Sequence, residues 1–382
     1  MGLVLSCATL LDWRCAQSLE LEFSPAMTVL AGPNAYGKTN TVEALQLLTA
    51  GVSFRHPSPR DLVRQGAEVA KASARLEGDG RLLDMAVIAS ESSRRFTRNG
   101  KAVRPSEIPG TLLSVLFNPD DLGLVKGSAS ARRDEVDAFG SQASRAFAQV
   151  VKTYKRSIEQ RNRLLKESQV DMDLLDAWDA SVAVGAGTLL YHRTSLLARL
   201  GELVSGAHEA VAPERLIIRY ESSLGPLEAG SSRQDLIEQM AEALKESRVE
   251  DLRRGFTTKG PQRDDIGFEL DGRPLRTFGS QGQQRTAVLA WKMAQVRFAQ
   301  EVLGQTPLLL LDDVMSELDA HRRKAVNGLV GQGVQTVVTT THLGYFDPQM
   351  LADAAVIEFT GKGVAHGVER RHQRRSGSSC DL

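Results

Sequence analysis

One octapeptide restricts this 382-residue chain more than any other feature: Gly32-Pro33-Asn34-Ala35-Tyr36-Gly37-Lys38-Thr39. It fits the spacing G-x-x-x-x-G-K-[ST], and its flanks fit as well. Met27-Thr28-Val29-Leu30-Ala31 reads as a short buried strand. Asn40-Thr41-Val42-Glu43-Ala44-Leu45-Gln46-Leu47-Leu48 reads as a helix with apolar residues at helical spacing. Gly32 and Gly37 let the backbone curl so that its N–H groups point inward. Lys38 brings a point charge for terminal phosphates, and Thr39 a hydroxyl for Mg²⁺. The stretch from Gly32 to Asn40 is expected to hold a nucleoside triphosphate, within an α/β fold.

The remaining chemistry lies far along the chain. Leu308-Leu309-Leu310-Leu311-Asp312-Asp313 reads as a buried strand that delivers two acids at its carboxyl end. In a nucleotide site the first acid, Asp312, reaches Mg²⁺ and the second, Asp313, orients or deprotonates a water. Ser316-Glu317-Leu318-Asp319 then opens a helix in capping style. Ser280, Gln281, Gly282 and Gln283 open another long helix after Gly279. Free N–H groups, a hydroxyl and the positive end of the helix dipole converge there on a second anion site. Two such sites in one chain suggest a nucleotide clamped between two surfaces, on two protomers. His342, after the strand Gln335–Thr339, is either a γ-phosphate sensor or a local hydrogen-bonder.

Charge excludes a globally basic protein: 47 acidic residues balance 47 basic ones, so any nucleic-acid contact must come from local patches. Two patches qualify. Residues 70–104 read as an antiparallel meander with turns at Gly78-Asp79-Gly80 and Asn99-Gly100, and its second hairpin carries Arg94, Arg95 and Arg98. Residues 129–211 read as mainly helical, and the basic helix over 154–166 sets Lys155, Arg156 and Arg163 outward. Either patch is a solvated face or a DNA contact. A strand over Leu216–Tyr220 and two further helices lead to Arg254. Asp264–Leu270 and Arg273–Thr277 then form a hairpin. Cys7, Cys15 and Cys380 lack paired or metal-ligand spacing, which suggests a reducing compartment and no disulfide framework. With no apolar run of membrane length and no signal pattern, the expectation is a soluble, cytoplasmic chain with no membrane contact.

The order of these elements resembles the ABC-type ATPase head of the SMC/Rad50/RecF group, and the details resemble the RecF family within it. The motifs that carry the resemblance are the glycine loop, Ser53-Phe54-Arg55, Phe117-Asn118-Pro119-Asp120-Asp121-Leu122 and Gln160-Arg161-Asn162. Gly260-Pro261-Gln262-Arg263-Asp264-Asp265, Ser280-Gln281-Gly282-Gln283-Gln284-Arg285-Thr286 and Leu311 to Asp319 complete them. The similarity covers nearly all of the chain except the tail. The chain departs from the family pattern at Trp13-Arg14-Cys15-Ala16, at Pro33 and at Gln262.

The resemblance implies an ABC-type P-loop head from residues 1–115 and 255–382, with a mainly helical second lobe over 116–254; the basic tail over 365–382, extra to the family, reads from its composition as disordered. The resemblance also implies a weak, DNA-stimulated ATPase that uses ATP and Mg²⁺, dimerises on ATP and binds double-stranded DNA at gaps or single/double-strand junctions. The implied partners are RecR and RecO, with RecA loaded in recombinational repair. The competing reading is the ATPase subunit of another ABC-type system such as a transporter. Against it stand Asp313, where transporters place Glu, and the helical insertion.

Overall fold

Alternating apolar and polar residues make Val4–Trp13 (β1) and Ala16–Glu22 (β2) an antiparallel hairpin, with Leu5, Leu10, Leu19 and Leu21 turned inward. Met27–Ala31 (β3) carries no charge and is buried along its whole length, so it sits inside a second, mainly parallel sheet. The glycine loop leads into Lys38–Ala50 (α1), which ends where Gly51 turns left-handed and donates its N–H to Leu47. The expected meander forms as Ala70–Gly78 (β4), Arg81–Ala89 (β5), Arg94–Arg98 (β6) and Lys101–Val103 (β7). These strands complete an antiparallel sheet of order β2-β1-β4-β5-β6-β7. Asn99 and Gly100, at φ 48° and 73°, make the tight turn between β6 and β7. Ser114–Phe117 (β8) closes this half.

Residues 122–294 form a compact unit of their own. A short turn, Gly123–Lys126 (α2), precedes Ala129–Ala143 (α3), Arg145–Leu164 (α4) and Met172–Glu209 (α5). Leu216–Glu221 (β9) follows. The sequence reads as two helices before Arg254, yet residues 222–228 make only turns. A capping box between Ser232 and Asp235 then starts a single helix, Arg233–Arg254 (α6). Asp265–Leu270 (β10) pairs with β9 on one side and Arg273–Pro274 (β11) on the other. The strand expected over Arg273–Thr277 stops at Pro274, which cannot donate to the ladder, and Leu275–Phe278 (α7) turns helical around buried Leu275. Gln281–Glu301 (α8) comes next.

Residues 255–294 thus pack with the helical lobe, although the family resemblance assigns them to the head. The cause is specific: β10 pairs with β9 over six residues, Arg132 makes a bidentate ion pair with Asp265, and Lys292 bonds Glu135 at 2.8 Å. Buried Arg161 of α4 bonds Asp179, Asp251 and Thr257 at 2.6–2.8 Å, tying α4, α5 and α6 together.

The other unit joins residues 1–121 to 295–382. Leu308–Asp312 (β12), Thr336–Thr340 (β13), Ala355–Gly361 (β14) and Val364–Gly367 (β15) finish the second sheet in the order β15-β14-β3-β13-β12-β8. Every pairing in it is parallel except that of β14 with β15. Helix α1 lies against both sheets of this unit, and Leu45, Leu47, Leu10, Val87, Leu310 and Val337 share one core. Two further helices are Ala320–Val330 (α9) and Pro348–Asp353 (α10). The helix expected to open at Ser316 starts later. A tight turn over Val314–Ser316 intervenes, and Asp319 is the residue that caps α9, accepting the Arg322 N–H at 2.9 Å.

The computed structural model describes residues 2–228, 230–330 and 333–367, so most of the basic tail lies outside the described residues. Among those described, no helix is long and apolar enough to cross a membrane. Cys15 is a free thiol.

Candidate nucleotide site

The glycine loop leaves the carboxyl end of β3 and needs its glycines. Gly32 has φ 148°, and a Cβ there would lie 2.6 Å from the Phe359 carbonyl. Gly37 has φ 110°, with Cys15 Sγ 3.1 Å from where its Cβ would be. Ala35 is also left-handed at φ 67°, a conformation that costs a non-glycine residue energy and curls the loop. Lys38 is buried, and its ammonium donates to the loop's own carbonyls, Gly32 O at 2.6 Å and Pro33 O at 2.8 Å. Burial lowers its pKa, and the Asp313 and Asp312 carboxylates pull the other way.

The loop meets the distant acids directly. Thr39 Oγ1 donates to Asp312 Oδ1 at 2.9 Å, and Thr339 Oγ1 donates to the same oxygen at 2.8 Å. The Thr339 hydroxyl in turn accepts the Asp313 N–H at 2.9 Å, where the chain turns left-handed at φ 55°. Burial pushes the Asp312 pKa up, against the hydrogen bonds from Thr339 and Thr39 and the nearby Arg55 charge. A cleft of about 130 Å³ opens among Asn34, Lys38, Thr39, Arg55, Asp313 and Thr339.

A hard divalent cation fits this donor set. It would take the Thr39 hydroxyl and the Asp312 carboxylate, and Mg²⁺ usually needs only one or two protein oxygens beside phosphates and water. No cluster of three or more His, Cys, Asp or Glu suited to a metal exists among the described residues, so such an ion would depend on the nucleotide.

Two lining residues escape a sequence reading. Thr339 is an ordinary polar end to a strand until β13 is seen beside β12. Arg55 belongs to the Ser53-Phe54-Arg55 motif, which carries the family resemblance without assigning this side chain a role. Its guanidinium bonds Asn40 Oδ1 at 2.9 Å and lies 3.7 Å from Glu43, a carboxylate with no exposed surface. Glu43 also holds Arg14 through two bonds of 2.8 and 2.9 Å and the Ser53 hydroxyl at 2.8 Å. The signal for Arg55 is Glu43 itself, the single acidic residue of α1.

The other expected residues are not part of this cleft. Ser280–Gln283 belongs to the unit of residues 122–294, where Ser280 and Gln281 lie at the start of α8. His342 packs its ring edge on Tyr345. Arg94 and Arg95 are exposed on β6, whereas Arg98 is half-buried and donates to the Glu107 carbonyl. Lys155, Arg156 and Arg163 are exposed on α4.

A family model described as RecF/RecN/SMC N terminal domain matches residues 12–357. The DNA replication and repair protein RecF of Gloeobacter violaceus is 36% identical over 354 residues, 91% of this chain and 94% of that one. The protein of that name from Geobacillus thermodenitrificans is 34% identical, covering 94% of this chain and 98% of its own. The chain belongs to the RecF family. A solved structure described as the recombination mediator protein RecF-ATP in the RecFOR pathway is 28% identical and superposes with a TM-score of 0.88. It covers 96% of this chain and 98% of that chain. An Smc head bound to the C-winged helix domain of ScpA, 16% identical with a TM-score of 0.57, shares the fold. The fold is therefore the α/β ABC-type ATPase head with a mainly helical lobe.

The motif over residues 260–265 is held by side chains from several elements of its unit. Arg193 donates to Pro261 O at 2.8 Å, Tyr154 donates to Gln262, Tyr220 donates to Asp264 at 2.6 Å, and Arg133 donates to the Asp264 carbonyl. Gln262 is thus used as an acceptor for the buried phenol of Tyr154. Burial pushes the pKa of both tyrosines up.

Proposed function

We propose that this RecF-family chain is an ATP-driven switch acting on DNA in replication and repair. The observation that carries the reading is the 2.9 Å bond between Thr39 and Asp312, which joins the phosphate loop to the acidic strand across 273 residues of sequence. The loop from Gly32 to Asn40 cradles the phosphates. Lys38 leaves its two loop carbonyls for the β- and γ-phosphates. Thr39 and Asp312 hold Mg²⁺, which would neutralise phosphate charge when bound. Asp313 orients the attacking water and accepts its proton. Arg55, at the rim of the same cleft, adds positive charge. The shorter reach of Asp compared with Glu suits slow hydrolysis.

Ser280 to Gln283 complete the site from a second copy of the chain, so ATP drives a head-to-tail homodimer, and His342 senses the γ-phosphate. Residues 1–115 and 255–382 act as the head in handling nucleotide and 116–254 as the second lobe, with residues 255–294 serving the head from within the compact unit of residues 122–294. The exposed arginines and lysines of β6 and α4 bind phosphates of double-stranded DNA near gaps and single/double-strand junctions. What supports this is the naming of the relatives, one as a DNA replication and repair protein and one as a recombination mediator in the RecFOR pathway. RecR and RecO are then the partner proteins, RecA is the protein loaded, and the cytoplasm is the compartment. Sedimentation of the whole chain with and without ATP tests the switch, with Lys38→Ala as control. A wild-type chain that stays monomeric at saturating ATP ends the dimer reading.

A further inference from the structure

The amide of Gln283 is held at both ends. Its Oε1 accepts the Ser280 N–H at 2.8 Å, while the Gln283 N–H donates to Ser280 Oγ, so the two residues close a reciprocal cap at the start of α8. Its Nε2 donates to Glu214 Oε1 at 3.1 Å, across 69 residues of sequence. An amide presents a donor and an acceptor on nearly identical shapes; the Ser280 N–H, which only donates, takes the carbonyl and leaves the NH₂ needing an acceptor. A carboxylate accepts only. Glu214 supplies that acceptor, so it reinforces the orientation the cap selects and holds the far end of the amide. Glu214 is itself fixed. His208, buried at the end of α5, bonds the Glu214 carbonyl through Nδ1 at 2.9 Å. Arg215 exchanges bonds of 2.9 and 3.0 Å with Asp271, the turn residue between β10 and β11. That turn runs on through α7 into Gly279 and Ser280. The Gln283 bond also holds the Glu214 carboxyl below its usual pKa, so it stays ionised near neutrality.

We propose that Glu214 is a positioning residue for the Ser280–Gln283 segment, locking the Gln283 amide in its capped orientation and hence the shape presented to nucleotide on a second copy of the chain. This rests on the ATP-driven dimer proposed above and deepens it. Glu214 touches neither nucleotide nor the reacting atoms, so its loss should leave ATP binding by the monomer alone and weaken the dimer.

The test compares Glu214→Ala, Glu214→Gln, Gln283→Ala and the Glu214→Ala/Gln283→Ala pair in the full chain. Dimer dissociation constants come from sedimentation with a slowly hydrolysed ATP analogue. Monomer affinity comes from a fluorescent nucleotide titrated well below the dimer constant, and thermal melting reports the fold. Glu214→Ala should raise the dimer constant about tenfold, the weight of a hydrogen bond to a charged group, with monomer affinity within about twofold. Glu214→Gln, which can still accept through its carbonyl, should recover most of the loss. The pair should lose no more than Gln283→Ala alone. A dimer constant unchanged in Glu214→Ala, additive losses in the pair, or a loss that merely tracks melting temperature overturns the assignment while the dimer stands. A wild type that never dimerises overturns both.

Discussion

Asp313→Asn should separate chemistry from binding. The carboxylate borders the cleft with Lys38, and its backbone N–H, not its side chain, makes the bond to Thr339. The amide can therefore replace it without disturbing that anchor. Losing a positioned base costs roughly 10²-fold or more in turnover, about 2.7 kcal/mol in the barrier. Binding should move the other way. A carboxylate about 6 Å from a phosphate charge repels it by roughly 1 kcal/mol in a partly solvated cleft, so the amide should tighten ATP several-fold. Asp312→Asn provides the contrast. Both hydroxyl donors, Thr39 and Thr339, use the same oxygen, Oδ1, and an asparagine carbonyl can keep both. That variant loses charge but not scaffolding, and should lose Mg²⁺-dependent nucleotide affinity by about tenfold or more. Single-turnover phosphate release set beside nucleotide titration with and without Mg²⁺ reads both effects in both variants. Normal turnover in Asp313→Asn would refute the reasoning and move the base elsewhere, with His342 or Glu317 to be tried next.

Further outcomes can be checked alongside. Ser280→Arg should keep ATP binding by the monomer and abolish the dimer in sedimentation; an intact dimer would remove the Ser280 segment from the site. Neutralising Arg94, Arg95 and Arg98, or separately Lys155, Arg156 and Arg163, should shallow the log K against log salt slope for DNA by about 0.9 for each phosphate no longer neutralised. A set that changes neither slope nor affinity is only solvated. Arg161→Ala leaves buried Asp251 without its cation, while Asp179 keeps Arg248, and the loss should cost roughly 3–5 kcal/mol. Calorimetry should find the unfolding temperature lowered by about 10 °C, and a shift under about 2 °C would mean the acids are protonated or hydrated in the fold.

Local chemistry made half of the site legible. Gly32 to Thr39 could be placed because a strand, a glycine turn and a helix each leave their own periodicity. Leu308 to Asp313 could be placed because a run of leucines ending in acids has few other uses. The Asn99-Gly100 hairpin is equally local, since only a left-handed pair closes it. What stayed hidden depends on neighbours that sequence does not print. Thr339 matters because β13 lies beside β12, and Arg55 because Glu43 is buried under it. The strand expected at Arg273–Thr277 failed for a local reason that was visible, Pro274, masked by the apparent alternation around it. The division at residue 255 followed the motif order, whereas β10 follows its pairing partner β9.

The place of β3 in its sheet has a consequence for how the protein is made. Its two neighbours, β13 and β14, are the strands beginning at Thr336 and Ala355, so both edges of Met27–Ala31 wait for the far end of the chain. A ribosome emitting this polypeptide exposes an uncharged strand with two unsatisfied edges throughout nearly all of translation, a state prone to wrong pairing. The helical unit, by contrast, is a continuous stretch from 122 to 294 and can form while the head is still open. Nucleotide cannot assist the early steps, because the oxygen that receives the Thr39 bond belongs to Asp312. The phosphate site therefore stays open until Asp312 has been made and β12 is in place.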